Sequence, residues 1–117
     1  MSNLRKILLS FVVLLAAAVV SRAEDFEKPD NPPVPVRTPP PQYPAQLKRD
    51  GVSGMVVVNV VIDADGSVEE VEVRKSTNSE FDAPAVEAVK QWRFKPAKKD
   101  GNAIRSKVAL PLKFSAD

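Results

Sequence analysis

The chain has 117 residues, 44% of them apolar and 27% charged, which is the size and balance of a single domain. It contains no cysteine and no histidine, which excludes disulfide staples, thiolate chemistry and the commonest general base and zinc ligand. The formal net charge is +2, but Arg5, Lys6 and Arg22 fall in the first 23 residues and leave 14 basic against 15 acidic residues, so the charge does not favour nucleic acid as a partner.

Arg5-Lys6 opens a leader whose next fourteen residues, Ile7 to Val20, are uncharged and interrupted only by Ser10. A bilayer-spanning helix takes about 20 apolar residues, and a shorter run of this kind suits the core of a signal peptide. Ser21-Arg22-Ala23 places small residues at −3 and −1 of a cleavage site after Ala23. Export with cleavage is the favoured reading of residues 1–23, and an uncleaved inner-membrane anchor is the alternative. Both put the rest of the chain outside the cytoplasm, in the periplasm.

From Pro29 to Pro44, eight of sixteen residues are proline. Prolines remove amide donors and bias their neighbours toward extended backbone, so residues 24–42 read as a polyproline-like spacer reaching at most roughly 60 Å. The folded domain is expected over residues 43–117. About 75 residues bury barely enough apolar surface for stability, so a homodimer or strand exchange is one route to a larger core.

Pro44 to Gly51 reads as a short helix with proline at its start and glycine at its end. Seven of the eight residues from Met55 to Ile62 are apolar and six are β-branched, the composition of a strand rather than a helix. Val56, Val58, Val60 and Ile62 form its expected core face. Asp63-Ala64-Asp65-Gly66 is a hairpin turn leading to a second strand from Val68. Val71 and Val73 share a face there while Val68 has the opposite parity, which predicts a bulge near Glu69-Glu70. Asp82 reads as the N-cap of a second helix, with Phe81, Ala85, Val89 and Trp92 as its buried stripe.

The last run alternates from Ile104 to Phe114, with Val108, Leu110 and Leu112 apolar and Arg105, Lys107, Pro111 and Lys113 between them. Lateral backbone direction alternates with the side chains. Pro111 has no N–H to give, so its lateral side is the unpaired one. That predicts an open sheet edge formed by the backbone of Arg105, Lys107, Ala109, Pro111 and Lys113, able to accept an extended peptide as an added strand.

Several short motifs occur in collinear order between Gln42 and Phe114: Gln42-Tyr43-Pro44-Ala45, Gly54-x-Val56-x-Val58, Ile62-Asp63-x-Asp65-Gly66-x-Val68, Phe81-Asp82-x-x-Ala85, Ala88-Val89-x-x-Trp92-x-Phe94-x-Pro96-Ala97 and Leu110-Pro111-Leu112-x-Phe114. Together they resemble the carboxy-terminal domain of TonB energy transducers. The resemblance implies an α+β fold, αββαβ, with a small three-stranded antiparallel sheet and two helices on one face. It further implies a non-enzymatic periplasmic domain that grips a short segment, the TonB box, of an outer-membrane transporter. By position, the grip would fall on Ile104–Phe114 by strand addition and on the pre-helix region Pro41–Tyr43, so Gln42 and Tyr43 join the expected partner-binding residues. Full transducers pass force from a proton-driven motor in the inner membrane to support the uptake of iron complexes and vitamin B12. No cofactor is implied.

The family's motor-coupled anchor typically carries a histidine, which this chain lacks. A second reading is therefore a free periplasmic form that modulates true transducers or assembles with itself. A third places a hard cation on Asp63 and Asp65, but the twelve-residue pattern of a calcium loop is absent.

Overall fold

The computed structural model describes residues 26–116, so the expected leader, residues 1–23, lies outside the described residues. In chain order the elements are β1 (Val34–Arg37), α1 (Ala45–Arg49), β2 (Gly54–Ile62), β3 (Val68–Ser76), a 3-10 turn (Ser79–Phe81), α2 (Asp82–Lys90), β4 (Arg93–Lys95), β5 (Ala97–Lys99), β6 (Asn102–Ile104) and β7 (Ser106–Phe114). The main sheet is antiparallel with order β3-β2-β7, and β1-β4 and β5-β6 form two separate ribbons. Three long strands and two helices are the fold the sequence predicts.

The even face of β2 makes the core. Val56, Val58, Val60 and Ile62 are all fully buried, and they pack with Leu47 of α1, with Phe81, Ala85 and Val89, and with Leu112 and Phe114 of β7. Each such side chain contributes about 1.5–3 kcal/mol on leaving water. Three rings close one end of this core. Phe81 and Phe114 stack with centroids 4.3 Å apart, and Tyr43 meets each edge-on at 5.6 Å. Gly54 makes room for them, since a Cβ there would come within 2.6 Å of the Phe81 ring.

The β2-β3 turn forms as its residues predict. Gly66 N–H donates to Asp63 C=O at 2.9 Å, and Gly66 holds a φ of +88°. A side chain would be obstructed there, because a Cβ would stand 2.0 Å from the Phe94 carbonyl oxygen. The close approach is used: Phe94 N–H donates to Gly66 C=O at 2.9 Å, tying β4 onto the turn. Val61 faces Glu70 and Ile62 faces Val68, so Glu69 is the extra, bulged residue that the parity of Val68 predicts. A second irregularity at Arg74 has no such warning in the pattern of apolar residues.

Four sequence expectations change. The cap of the second helical stretch is Asn78, whose side chain accepts from Glu80 N–H at 2.9 Å; the Asp82 side chain makes no cap bond, because the 3-10 turn moves the start of the helix upstream. The final alternating run is two elements. Asp100 and Gly101, at φ +52° and +79°, turn a tight β5-β6 hairpin, and β7 begins only at Ser106. Trp92 is half-buried, with its indole N–H donating to the Pro39 carbonyl at 3.0 Å. That bond needs a nearby partner from the proline-rich stretch, and the described part of the expected spacer, residues 26–42, is accordingly not free. β1 pairs with β4, and Asn31 exchanges N–H···O bonds with Lys98 at 3.1 and 2.9 Å. The prolines permit this because a two-stranded ribbon asks each of its strands for donors on one side only.

Gly66→Ala is expected to lower unfolding free energy by about 2 kcal/mol or more, from left-handed backbone strain and the collision with Phe94, as read by urea denaturation. Phe81→Ala is expected to cost about 3–5 kcal/mol by the same measurement, since the ring is wholly buried.

Candidate functional site

β7 has β2 on one side and, among the described residues, no strand on the other. Its register with β2 is unbroken, from Gly54 opposite Phe114 to Ile62 opposite Ser106, with Val57 opposite Pro111. Proline cannot donate, so that pair belongs to the non-hydrogen-bonded class of an antiparallel ladder. Alternation then assigns Met55–Lys113, Asn59–Ala109 and Val61–Lys107 to the same class. The N–H and C=O groups of Lys107, Ala109 and Lys113 therefore point away from β2, together with the Pro111 carbonyl. The side chains of these four residues are exposed, while Ser106, Leu112 and Phe114 are buried on the core side.

Arg105 is not part of this ladder. It precedes β7, and its guanidinium makes a two-pronged contact with Glu69, Nε to Oε2 at 2.7 Å and a terminal nitrogen to Oε1 at 3.0 Å. It also lies 5.2 Å over the Phe26 ring. The contact joins the β6-β7 link to the bulge of β3, across the end of the sheet. Hydrogen bonding from Arg105, helped by its charge, holds the Glu69 carboxyl below the usual glutamate range.

Gln42 and Tyr43 sit elsewhere. The Tyr43 hydroxyl donates to the Val52 carbonyl, and its ring contacts Phe114, so Tyr43 fixes the pre-helix segment at the carboxy-terminal end of β7. Both residues line a hollow of about 520 Å³ whose other wall is formed by Pro84 and Ala88 of α2 and by Gln91 at its carboxy-terminal cap. A shallower hollow of about 420 Å³, lined by Met55, Thr77, Lys113 and Phe114, opens at the same end of the sheet. The sequence pattern did not point to it; Gly54 beside a phenylalanine-rich core was the one available sign.

The acidic turn is occupied by its own backbone. Asp65 accepts from Ser67 N–H at 2.9 Å and from Ser67 Oγ at 2.6 Å, and Asp63 accepts from Ala64 N–H at 2.8 Å. The Ser67 hydroxyl and N–H lower the Asp65 carboxyl from its ordinary value. These bonds engage one oxygen of each carboxylate, the usual chemistry of an acidic hairpin turn.

The Arg105–Glu69 pair adds stability only while Glu69 is ionised. Its contribution is present above the ordinary glutamate range and is lost as pH falls through the lowered folded-state value. An NMR titration of the Glu69 side chain is expected to show that lowered value, and Arg105→Ala is expected to return it to the ordinary range.

Residues 39–116 match the family described as Gram-negative bacterial TonB protein C-terminal. The protein tonB2 of Pseudomonas aeruginosa is 41% identical over 80 residues, covering 68% of this chain and 30% of that protein. The TonB protein of Xanthomonas campestris is 36% identical over 77 residues, covering 65% of this chain and 34% of its own. The chain thus spans about a third of the length of these relatives. Among solved structures, the P. aeruginosa TonB carboxy-terminal domain is similar with a TM-score of 0.61 at 29% identity, covering 74% of this chain and 88% of that one. The Helicobacter pylori domain is similar with a TM-score of 0.54 at 28% identity, covering 66% and 82%. A collinear sequence match over most of the folded residues, with the same sheet and helices beneath it, makes this chain a member of the TonB carboxy-terminal domain family.

Proposed function

We propose that this protein is a periplasmic binding module, not an enzyme, that takes hold of a short extended segment of an outer-membrane transporter by strand addition to β7, in support of energy-dependent transport. The observation that carries this reading is the unbroken nine-pair register between β2 and β7 with, among the described residues, no strand paired on the outer side of β7. Such a border supplies the outward N–H groups of Lys107, Ala109 and Lys113 in a straight row, and main-chain bonds of this kind give affinity in strand addition. The other border is less suited, because irregularities at Glu69 and Arg74 interrupt the β3 ladder. Gln42 and Tyr43 would flank the docked segment at the carboxy-terminal end of β7, where the Tyr43 ring touches Phe114. Membership of the TonB family supports an outer-membrane transporter as the source of the segment. On the anchored reading of the leader, an inner-membrane motor would be the second partner.

Titration with a five- to seven-residue transporter peptide is expected to shift the NMR amide signals of Lys107, Ala109 and Lys113. Shifts confined to β3 or to the α2 hollow would reject the site. Ala109→Pro removes one outward donor and leaves the ladder to β2 intact, so it is expected to weaken binding by about 1 kcal/mol, roughly fivefold, with thermal unfolding little changed.

A further inference from the structure

The β1-β4 ribbon presents a surface that peptide capture does not use. Arg93 and Lys95 flank the buried Phe94, so both point away from the core. Directly opposed residues of an antiparallel pair share a face, which puts Arg37 beside Arg93 and Val34 beside Lys95 on that outward side. Val34 and Val36 are 50% and 64% exposed, the large apolar side chains most open to solvent among the described residues.

Arg37 opposite Arg93 is a like-charge pair at a position where opposite charges would favour the ribbon. Among the described residues neither of them nor Lys95 has a carboxylate at ion-pair distance; the pairs present join Lys90 to Glu87 and Arg105 to Glu69. Asp65 offsets Arg93 in part from across the Ser67–Arg93 bridge, which leaves Arg37 and Lys95 as the cations beside the exposed valines, a combination that suits an anionic, partly apolar partner. A bilayer surface asks for spread positive charge and shallow apolar groups, and these side chains supply both. By sequence, Val34 follows the apolar run Ile7–Val20 by fourteen residues, so an anchored chain would hold the ribbon within about 50 Å of the membrane.

We propose that the outward face of the β1-β4 ribbon docks on an anionic phospholipid bilayer, with Arg37, Arg93 and Lys95 against headgroup phosphates and Val34 and Val36 at the acyl boundary.

The test is co-sedimentation of the full chain with vesicles of phosphatidylethanolamine and phosphatidylglycerol, against vesicles of phosphatidylcholine alone, at low and high salt. The leader is common to every variant, so differences between variants report the ribbon. The unaltered protein is expected to favour the anionic vesicles and to lose that preference at high salt. Arg37→Glu reverses one charge and creates an attractive pair with Arg93. It is expected to keep or raise the unfolding temperature while weakening binding to anionic vesicles roughly thirtyfold, from about fivefold per unit of charge. Val34→Ser with Val36→Ser is expected to weaken it several-fold at unchanged charge. Equal binding by Arg37→Glu and the unaltered protein would overturn the proposal, as would equal binding to the two vesicle types. Binding of the unaltered chain to polyglutamate, with no preference for anionic vesicles, would assign the face to an acidic polypeptide and overturn it too.

Discussion

Burial of Val56, Val58, Val60 and Ile62 against the helices fixes more than the stability of the core. Side chains along a strand alternate with period two, so a one-residue slip of β2 would carry all four into solvent. β7 is held to the same register by an independent restriction, since Pro111 is tolerated only where no donor is asked of it. The two restrictions agree. Together they determine which backbone groups of β7 are consumed by the sheet and which face outward, so the chemistry of the border is set by residues whose side chains lie on the opposite face or lack an N–H. Lys107 and Lys113 then do what charged residues on borders generally do, which is to discourage indiscriminate pairing while leaving the main chain accessible.

Much of this was legible because it depends on local periodicity. The β-branched run of β2, the Asp63–Gly66 turn, the bulge announced by the parity of Val68 and the Phe81-Ala85-Val89 stripe each follow from a handful of neighbouring residues, and the outward parity of Lys107, Ala109 and Lys113 follows from Pro111 alone. What was not legible depends on pairings distant in sequence or on elements too short to show a period. Val34–Arg37 is a strand because β4 lies next to it, nearly sixty residues later in the chain, and three-residue strands such as β4, β5 and β6 carry no readable alternation. Arg105 fitted the alternation of the last run, but the Asp100-Gly101 turn ends one ribbon just before it and the carboxylate of Glu69 takes its guanidinium. Asn78 was passed over as a cap because a 3-10 turn separates it from the helix whose residues announced themselves.

Charge is likewise arranged rather than merely present. The folded part is close to neutral, yet Glu69, Glu70 and Glu72 are exposed along β3 while Arg37, Arg93 and Lys95 gather on the β1-β4 ribbon. Composition alone reports the sum and hides this separation, so a chain with nearly balanced charges still carries a local excess of cations on the β1-β4 ribbon. The field of such a patch acts on partners over about a Debye length, roughly 8–10 Å at moderate salt, so the near-neutral total does not cancel it locally.

The same ribbon changes where the folded unit begins. The family match starts at residue 39, and motif spacing alone would start the domain at Tyr43. Yet β1, the Asn31–Lys98 bonds and the acceptance of the Trp92 indole N–H by Pro39 all lie at or before that point. A chain cut at Tyr43 would leave the indole donor without its partner and uncover the β4 backbone on the side that β1 occupies. Phe94 would feel the loss as well: its N–H anchors the β2-β3 turn through Gly66, and its Cα neighbour across the ribbon is Pro35. The proline-rich segment is thus coupled, through β4, to the turn that sets the β2 hairpin. A load applied along that segment from its amino-terminal side would meet the Asn31–Lys98 bonds and then the short β1-β4 ladder before it reached the nine-pair register that holds β7 in place.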